Sequence, residues 1–375
     1  MKYYLIAGEA SGDLHGANLM REIINCDPEA SFRFFGGGLM QEVGGNQARD
    51  YRELAFMGMI DVLRNIRTIK KNLYFCKKDI LDFCPDVVIL IDYPGFNLKI
   101  AAFAKRNDLK VFYYISPKIW AWKEWRLKKI KAFVDEMFTI LPFEKEFYAR
   151  HNYKVHYVGN PLLDEIESFR SAYGNDKNFR KENNLDNRPL VALLAGSRKP
   201  EIKLMLPVMK QIAAEYPEFQ FVISGAPSME REVYDRLLGD ARIPVVYNQT
   251  YRLLTESFAA LVTSGTATLE TALLNVPQVV LYKIAGGGFA YKIFRFFFLK
   301  VPYVSLPNLI LGEQVVSEFI MDKMKFRFLR PEVEKLLKDQ SYRGKIFDKY
   351  ALLKKITGGP GASKRAAYEM TELLK

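Results

Sequence analysis

The chain has 375 residues, 49% of them hydrophobic and 26% charged, three cysteines and a formal net charge of +12. This composition excludes wholesale disorder, and the length exceeds what one hydrophobic core usually serves, so two domains are expected. Cys26, Cys76 and Cys84 form no metal-ligand or redox spacing, which suits a reducing cytoplasm. The positive charge favours an anionic partner: a phosphorylated substrate, nucleic acid or an anionic membrane face.

The first predicted strand, Tyr3–Ala7, begins directly after Met1-Lys2, with no secretory leader expected. No window of about 20 apolar residues occurs, so no membrane span is expected. The strand ends in Gly8-Glu9-Ala10-Ser11-Gly12-Asp13, followed by a helical pattern over 14–24. Turns use Gly, Ser and Asp for backbone reasons. Glu9, Asp13 and His15 together go beyond that need. Asp13 suits a helix cap; His15 suits a base or a helix-face residue.

Residues 57–78 read MGMIDVLRNIRTIKKNLYFCKK. Ile66, Ile69 and Leu73 fall on one helical stripe, and Arg64, Arg67 and Lys71 on another. Met57, Met59 and Ile60 precede them. An apolar face beside a basic one fits a helix lying on a membrane, and equally an amphipathic helix packed on its own domain.

The apolar strand Val87–Ile91 opens onto Asp92-Tyr93-Pro94-Gly95-Phe96-Asn97. A carboxylate at the mouth of a buried strand suits a general base or a cap for the helical stretch 97–106. Val111–Ile115 leads into SPKIWAWKEWR (116–126), whose tryptophans and basic residues suit a headgroup zone. The run Met137–Leu141, a helical stretch 142–150 and Val155–Val158 complete the first half, which ends in Gly159-Asn160-Pro161. The polar, turn-rich stretch 168–189 reads as a linker.

In the second half the strand runs are Leu190–Ala195, Phe219–Ser224, Val245–Tyr247, Ala259–Thr263 and Val279–Tyr282. Near-continuous apolar strands alternating with helices indicate parallel sheets covered on both faces. The expected fold class is α/β, with two parallel-sheet domains facing a central cleft. The expected divisions are 1–167, a linker at 168–189, 190–345, and a helical segment 346–375 whose last helix can cross back.

Ligands of open parallel sheets bind at the carboxyl ends of the strands. Two loops of the second half fit an anion. In Gly196-Ser197-Arg198, the arginine can clasp a diphosphate bidentately. Ser264-Gly265-Thr266-Ala267-Thr268-Leu269-Glu270 is small, hydroxyl-rich and opens a helix, with Glu270 placed to meet ribose hydroxyls. Two such loops in one domain point to a nucleotide diphosphate. There is no P-loop and no GxGxxG after the first strand.

The loops, in this order, resemble the lipid-A-disaccharide synthase family. The resemblance rests on AGEASGDLHGA (7–17), FMGMIDVL (56–63), IDYPGFN (91–97), SPKIWAWKEWR (116–126), LPFEKEFY (141–148), VGNPLLD (158–164), GSRKPEI (196–202), SGTATLETALLNVP (264–277) and VPYVSLPNLILGEQVVSEFI (301–320). It implies the GT-B architecture of two Rossmann-like domains, the first for acceptor and membrane docking, the second for the UDP-sugar. It implies inverting transfer from UDP-2,3-diacylglucosamine to 2,3-diacylglucosamine 1-phosphate, giving a β(1→6) disaccharide 1-phosphate and UDP. No metal or other cofactor is implied. The residues carried over are Glu9, Ser11, Asp92, Arg198, Glu270 and Asn308. Asp92 is the expected base with Glu9 in reserve. Arg198 and the start at Ser264, Gly265 and Thr266 are expected to stabilise UDP, with Glu270 and Asn308 orienting it.

The resemblance further implies a peripheral protein on the cytoplasmic face of the inner membrane, and a homodimer. Departures from the family pattern are Gly95, Ala195, Asn160 and the stretch 285–300. The competing readings are another UDP-sugar enzyme of this architecture, such as a UDP-GlcNAc 2-epimerase, and a basic nucleic-acid-binding protein. An epimerase needs more acid/base groups than three histidines help supply. Basic residues mixed with aliphatic ones favour lipid over nucleic acid.

Overall fold

The computed structural model describes residues 1–53, 65–121, 124–174, 178–227, 229–283 and 301–375. The chain divides into two compact units, Met1–Asp164 with Pro360–Lys375, and Glu165–Gly359.

In the first unit the strands are β1 (Lys2–Ala7), β2 (Ser31–Gly36), β3 (Asn46–Asp50), β4 (Val87–Ile91), β5 (Lys110–Tyr114), β6 (Glu136–Thr139) and β7 (His156–Tyr157). They form one sheet in the order β3-β2-β1-β4-β5-β6-β7, every pair parallel. The alternation of side chains divides β1 between two cores. Tyr4 and Ile6 face a cluster with Phe35, Ile80 and Tyr113. Tyr3, Leu5 and Ala7 face one with Ala17, Met20 and Phe112. Both faces are covered, which is why β4 is five buried aliphatics without a polar residue.

Three strands go beyond the sequence reading. β2 carries Arg33, and β3, at the sheet edge, is the polar run NQARD. The third, β13 (Ser317–Ile320) in the second unit, is only four residues long.

The final helix, Ala362–Glu372, crosses back to the first unit, where Ala366, Ala367 and Met370 join the core beside helix Ala10–Cys26. Asp164 caps it, accepting from the amides of Gly361, Ala362 (3.3 Å) and Ser363 (3.2 Å). Arg365 Nε donates to the Val158 carbonyl at 2.8 Å. The VGNPLLD segment therefore holds this helix in place. Asp13 also differs from expectation. It caps a neighbouring helix, Gly38–Val43, by accepting from the amides of Gly37 (2.6 Å), Leu39 and Met40 (both 3.2 Å).

The second unit holds β8 (Leu190–Leu194), β9 (Gln220–Gly225), β10 (Val245–Tyr247), β11 (Ser257–Thr263), β12 (Gln278–Tyr282) and β13 (Ser317–Ile320). The order is β10-β9-β8-β11-β12-β13, again all parallel. The units divide at 164/165 and 359/360, whereas the sequence reading put boundaries at 167 and 345. Helix Leu162–Tyr173 runs across the first division. Helix Gln340–Thr357 belongs to the second unit, where the Tyr350 hydroxyl donates to the Val276 carbonyl at 3.2 Å.

Candidate active site

In the first unit the register brings two loops level. Ala7 pairs with Ile91, so both strands end together and Glu9 and Asp92 emerge as neighbours. Ser11 donates to Glu9 at 3.3 Å. The sequence-predicted trio Glu9, Ser11 and Asp92 is thus one cluster. Burial and the charge of Glu9 push the Asp92 carboxyl up to about 6, against the pull of Lys118. That is the range in which a carboxylate works as a base near neutral pH.

Asp92 leaves β4 with φ of +42°, and Tyr93 follows with +45°. Left-handed backbone is uncommon outside glycine and costs roughly 1–3 kcal/mol per residue. Three donors hold the turn. The amide of Asp92 bonds the Tyr114 carbonyl at 3.0 Å. The Asp92 carbonyl accepts from the Tyr113 hydroxyl and, at 2.8 Å, from Asn97 Nδ2. Pro94 then starts the helix Pro94–Lys105 at its first position, where a missing N–H is harmless.

The next loop, Ser116–Ala121, follows Ile115, itself at φ +65°. It is pinned to helix Pro142–Ala149 by Ser116 and the Tyr148 hydroxyl (2.7 Å), and by Trp120 Nε1 donating to Glu144 (3.1 Å). Burial raises the Glu144 carboxyl to about 7, although it accepts the Leu141 and Ile140 amides. His15 is held down to about 4 by burial, opposed by Asp164, and is a weak base.

In the second unit, Gly196 has φ of +112° and Arg198 caps helix Lys199–Glu215 with its side chain exposed. Glu201 folds back to accept the Ser197 amide at 3.2 Å and to meet Arg198 at 3.6 Å. The Ser264 hydroxyl donates to the Val304 carbonyl at 2.7 Å. Gly265 has open space where a side chain would stand and no left-handed backbone, so packing does not require a glycine there. Thr266 is exposed. Burial raises the Glu270 carboxyl, which accepts from the Tyr251 hydroxyl at 3.1 Å.

Asn308 departs from expectation. It is fully buried and its side chain is saturated within the fold. Its Oδ1 accepts the Val315 (2.8 Å) and Val316 (2.9 Å) amides; its Nδ2 donates to the Val316 carbonyl (2.9 Å) and Glu318 (2.8 Å). Glu318 also accepts from the Val304 and Ser305 amides and the Ser305 hydroxyl. This pair braces the segment that touches Ser264, so Asn308 acts on that loop at one remove. Sequence reasoning missed Tyr251 and Tyr113, and Glu318 stood in the 301–320 motif without a role. Asn97 stood in a quoted motif without a role.

For the docking stripe, Ile66 is 46% exposed and Arg67 and Lys71 are exposed. Ile69 is half-buried. Leu73 is half-buried and packs against the core of the first unit, as Phe75 does. Arg64, the segments 56–63 and 285–300, and Trp122 lie outside the described residues. Trp125 is 60% exposed, with Arg126 and Lys129 each 5.7 Å from its ring. Among the described residues no helix is long and apolar enough to cross a membrane.

The family model described as Lipid-A-disaccharide synthetase matches residues 3–367. This chain belongs to the lipid-A-disaccharide synthase family. The lipid-A-disaccharide synthase of Geobacter sulfurreducens is 36% identical over 376 residues, covering 99% of this chain and 96% of the relative. That of Coxiella burnetii is 36% identical over 357 residues, covering 93% and 92%. Among solved structures, UDP-GlcNAc 2-epimerase from Neisseria meningitidis bound to UDP-GlcNAc superposes with a TM-score of 0.70 at 14% identity, covering 99% of this chain and 100% of the other. The calicheamicin glycosyltransferase gives 0.59 at 15% identity, covering 99% and 98%. These likenesses establish the GT-B fold. Family membership makes the chain a glycosyltransferase of lipid A biosynthesis and sets aside the epimerase and nucleic-acid readings.

Proposed function

We propose that the chain transfers the 2,3-diacylglucosaminyl group of UDP-2,3-diacylglucosamine to the 6-hydroxyl of 2,3-diacylglucosamine 1-phosphate. Asp92 takes the hydroxyl proton as the oxygen attacks the anomeric carbon. The bond from that carbon to the diphosphate breaks on the opposite side, so the configuration inverts and UDP leaves with the electron pair. Glu9 and Ser11 hydrogen-bond acceptor hydroxyls. Arg198, with Ser264, Gly265 and Thr266, meets the charge developing on UDP. Glu270, fixed by Tyr251, meets the ribose. Ile66, Ile69, Arg67, Lys71 and Trp125 place the enzyme on the cytoplasmic face of an anionic membrane, where both acylated substrates reside.

The observation that carries this reading is the Glu9–Asp92 pair at the level ends of β1 and β4, with Asp92 raised to about 6. The test is an assay of purified protein with both acylated substrates, following UDP release and disaccharide mass. A disaccharide 1-phosphate in step with UDP is expected. Epimerisation of UDP-GlcNAc without disaccharide would overturn the proposal.

A further inference from the structure

Asp92 and Tyr93 are consecutive non-glycine residues in left-handed backbone, a conformation that persists only where its surroundings enforce it. The enforcing groups are identifiable. The Asp92 carbonyl receives the Tyr113 hydroxyl and Asn97 Nδ2. Tyr113 lies one residue from the end of β5, and its neighbour Tyr114 pairs with Ile91, so its ring stands beside the mouth of β4. It is fully buried in the core that includes Tyr4 and Tyr148. Asn97 also reaches the Ile91 (3.2 Å) and Ile6 (3.4 Å) carbonyls, and so joins the ends of β4 and β1. A buried tyrosine needs one acceptor, and many backbone carbonyls could serve. This one belongs to the residue whose side chain stands at the centre of the site.

We propose that Tyr113 is a positioning residue for the transfer reaction, its hydroxyl holding the left-handed turn that aims the Asp92 carboxylate at the acceptor. Without that hydrogen bond the turn relaxes toward ordinary backbone, and the carboxylate swings away from Glu9 and toward water. The inference rests on Asp92 being the base, as proposed above.

The test is Tyr113→Phe, which deletes one oxygen and keeps the ring. The Asp92 carbonyl retains its bond from Asn97, so the fold survives. The expected result is a fall in kcat of about tenfold or more, with KM for both substrates within about twofold, as expected for misaligned chemistry. The acid limb of the kcat/KM profile moves to lower pH, because the freed carboxylate is better hydrated. A merely structural tyrosine would lower the melting temperature and leave both the kcat and the limb unchanged; that result overturns the proposal. Asn97→Ser removes the other donor to the same carbonyl and must move the limb in the same direction. Asp92→Asn, run alongside, separates the two readings. Normal turnover in Asp92→Asn removes the base itself. A dead Asp92→Asn beside an unaltered Tyr113→Phe removes only the positioning role.

Discussion

The ring of Tyr93 occupies the space that a side chain on Gly8 would need. A methyl group built on Gly8 would overlap Cγ and Cδ1 of that ring. Gly8 is therefore required by its neighbour across the strand ends rather than by its own dihedrals, since it is absent from the left-handed glycines. The first glycine of the opening loop and the left-handed turn after β4 are one device. Gly8→Ala is expected to displace Tyr93 and with it Asp92. Turnover should fall by about 10²-fold, as for a displacement near 1 Å. UDP affinity measured by calorimetry should hold, because the loops proposed to bind UDP belong to the other unit.

The kcat/KM profile is expected to show an acid limb near pH 6, the value to which burial and Glu9 raise Asp92 in the free enzyme. A base must be ionised, so activity is present above this value and falls about tenfold per pH unit below it. An ordinary aspartate would place the limb near 4. Asp92→Asn should cost about 10²–10⁴-fold in rate and abolish the limb. A limb unchanged in that variant would assign it to another group.

Arg198→Ala is expected to lower kcat by about 10²-fold and UDP affinity by less, because charge on the leaving group grows in the transition state. Arg198→Lys should recover little, since a lysine cannot meet two phosphate oxygens with a planar fork. Transfer should persist in excess chelator. Activity lost to chelator and restored by Mg²⁺ would transfer the leaving-group role to a metal.

Asn308→Ala strands the Val315 and Val316 amides and takes a donor from Glu318. With about 1–3 kcal/mol for each buried group left unpaired, a loss of roughly 3 kcal/mol in unfolding free energy is expected. Asn308→Asp is nearly isosteric but sets a second carboxylate against Glu318 and the Val316 carbonyl, so it should be no milder. A fully stable Asn308→Ala with weakened UDP binding would instead place Asn308 on the nucleotide.

Helix Ile66–Phe83, proposed to dock on the membrane, separates into two kinds of position. Ile66→Ser should weaken binding to anionic vesicles, with stability unchanged, because Ile66 is exposed. Leu73→Ser should cost about 1–2 kcal/mol of stability, since its burial is partial. Vesicle flotation and chemical denaturation on the two variants distinguish these effects. Equal vesicle binding by Ile66→Ser and the parent protein would remove this helix from the membrane.

Much of the fold was legible because fully covered parallel strands must be apolar throughout, as in VVILI of β4 and LVALL of β8. β3 was not legible because an edge strand carries less core, and β2 was obscured by Arg33, whose charge is met bidentately by Asp79 from a distant helix. The site loops were legible as strand ends with carboxylates, hydroxyls and arginine. Their supports were not. Tyr113 reads as one apolar residue in a strand, and its hydroxyl gains meaning only through the register of β5 on β4. The family resemblance carries Asn308 over as a nucleotide-orienting residue, but a motif shows only that a polar side chain is present, not whether its hydrogen bonds are already used within the fold.

The last helix returns to the first sheet, and this sets an order on synthesis. Residues 360–375 leave the ribosome only after the whole second unit has been made. Until then the face of the first sheet beside Ala17 and Met20 lacks Ala366, Ala367 and Met370, and Asp164 has no helix end to cap. The second unit is a single uninterrupted stretch and can finish first. The half that holds Asp92, although most of it is translated earlier, is completed after the second unit, so the nascent chain carries an open apolar face until residues 360–375 emerge.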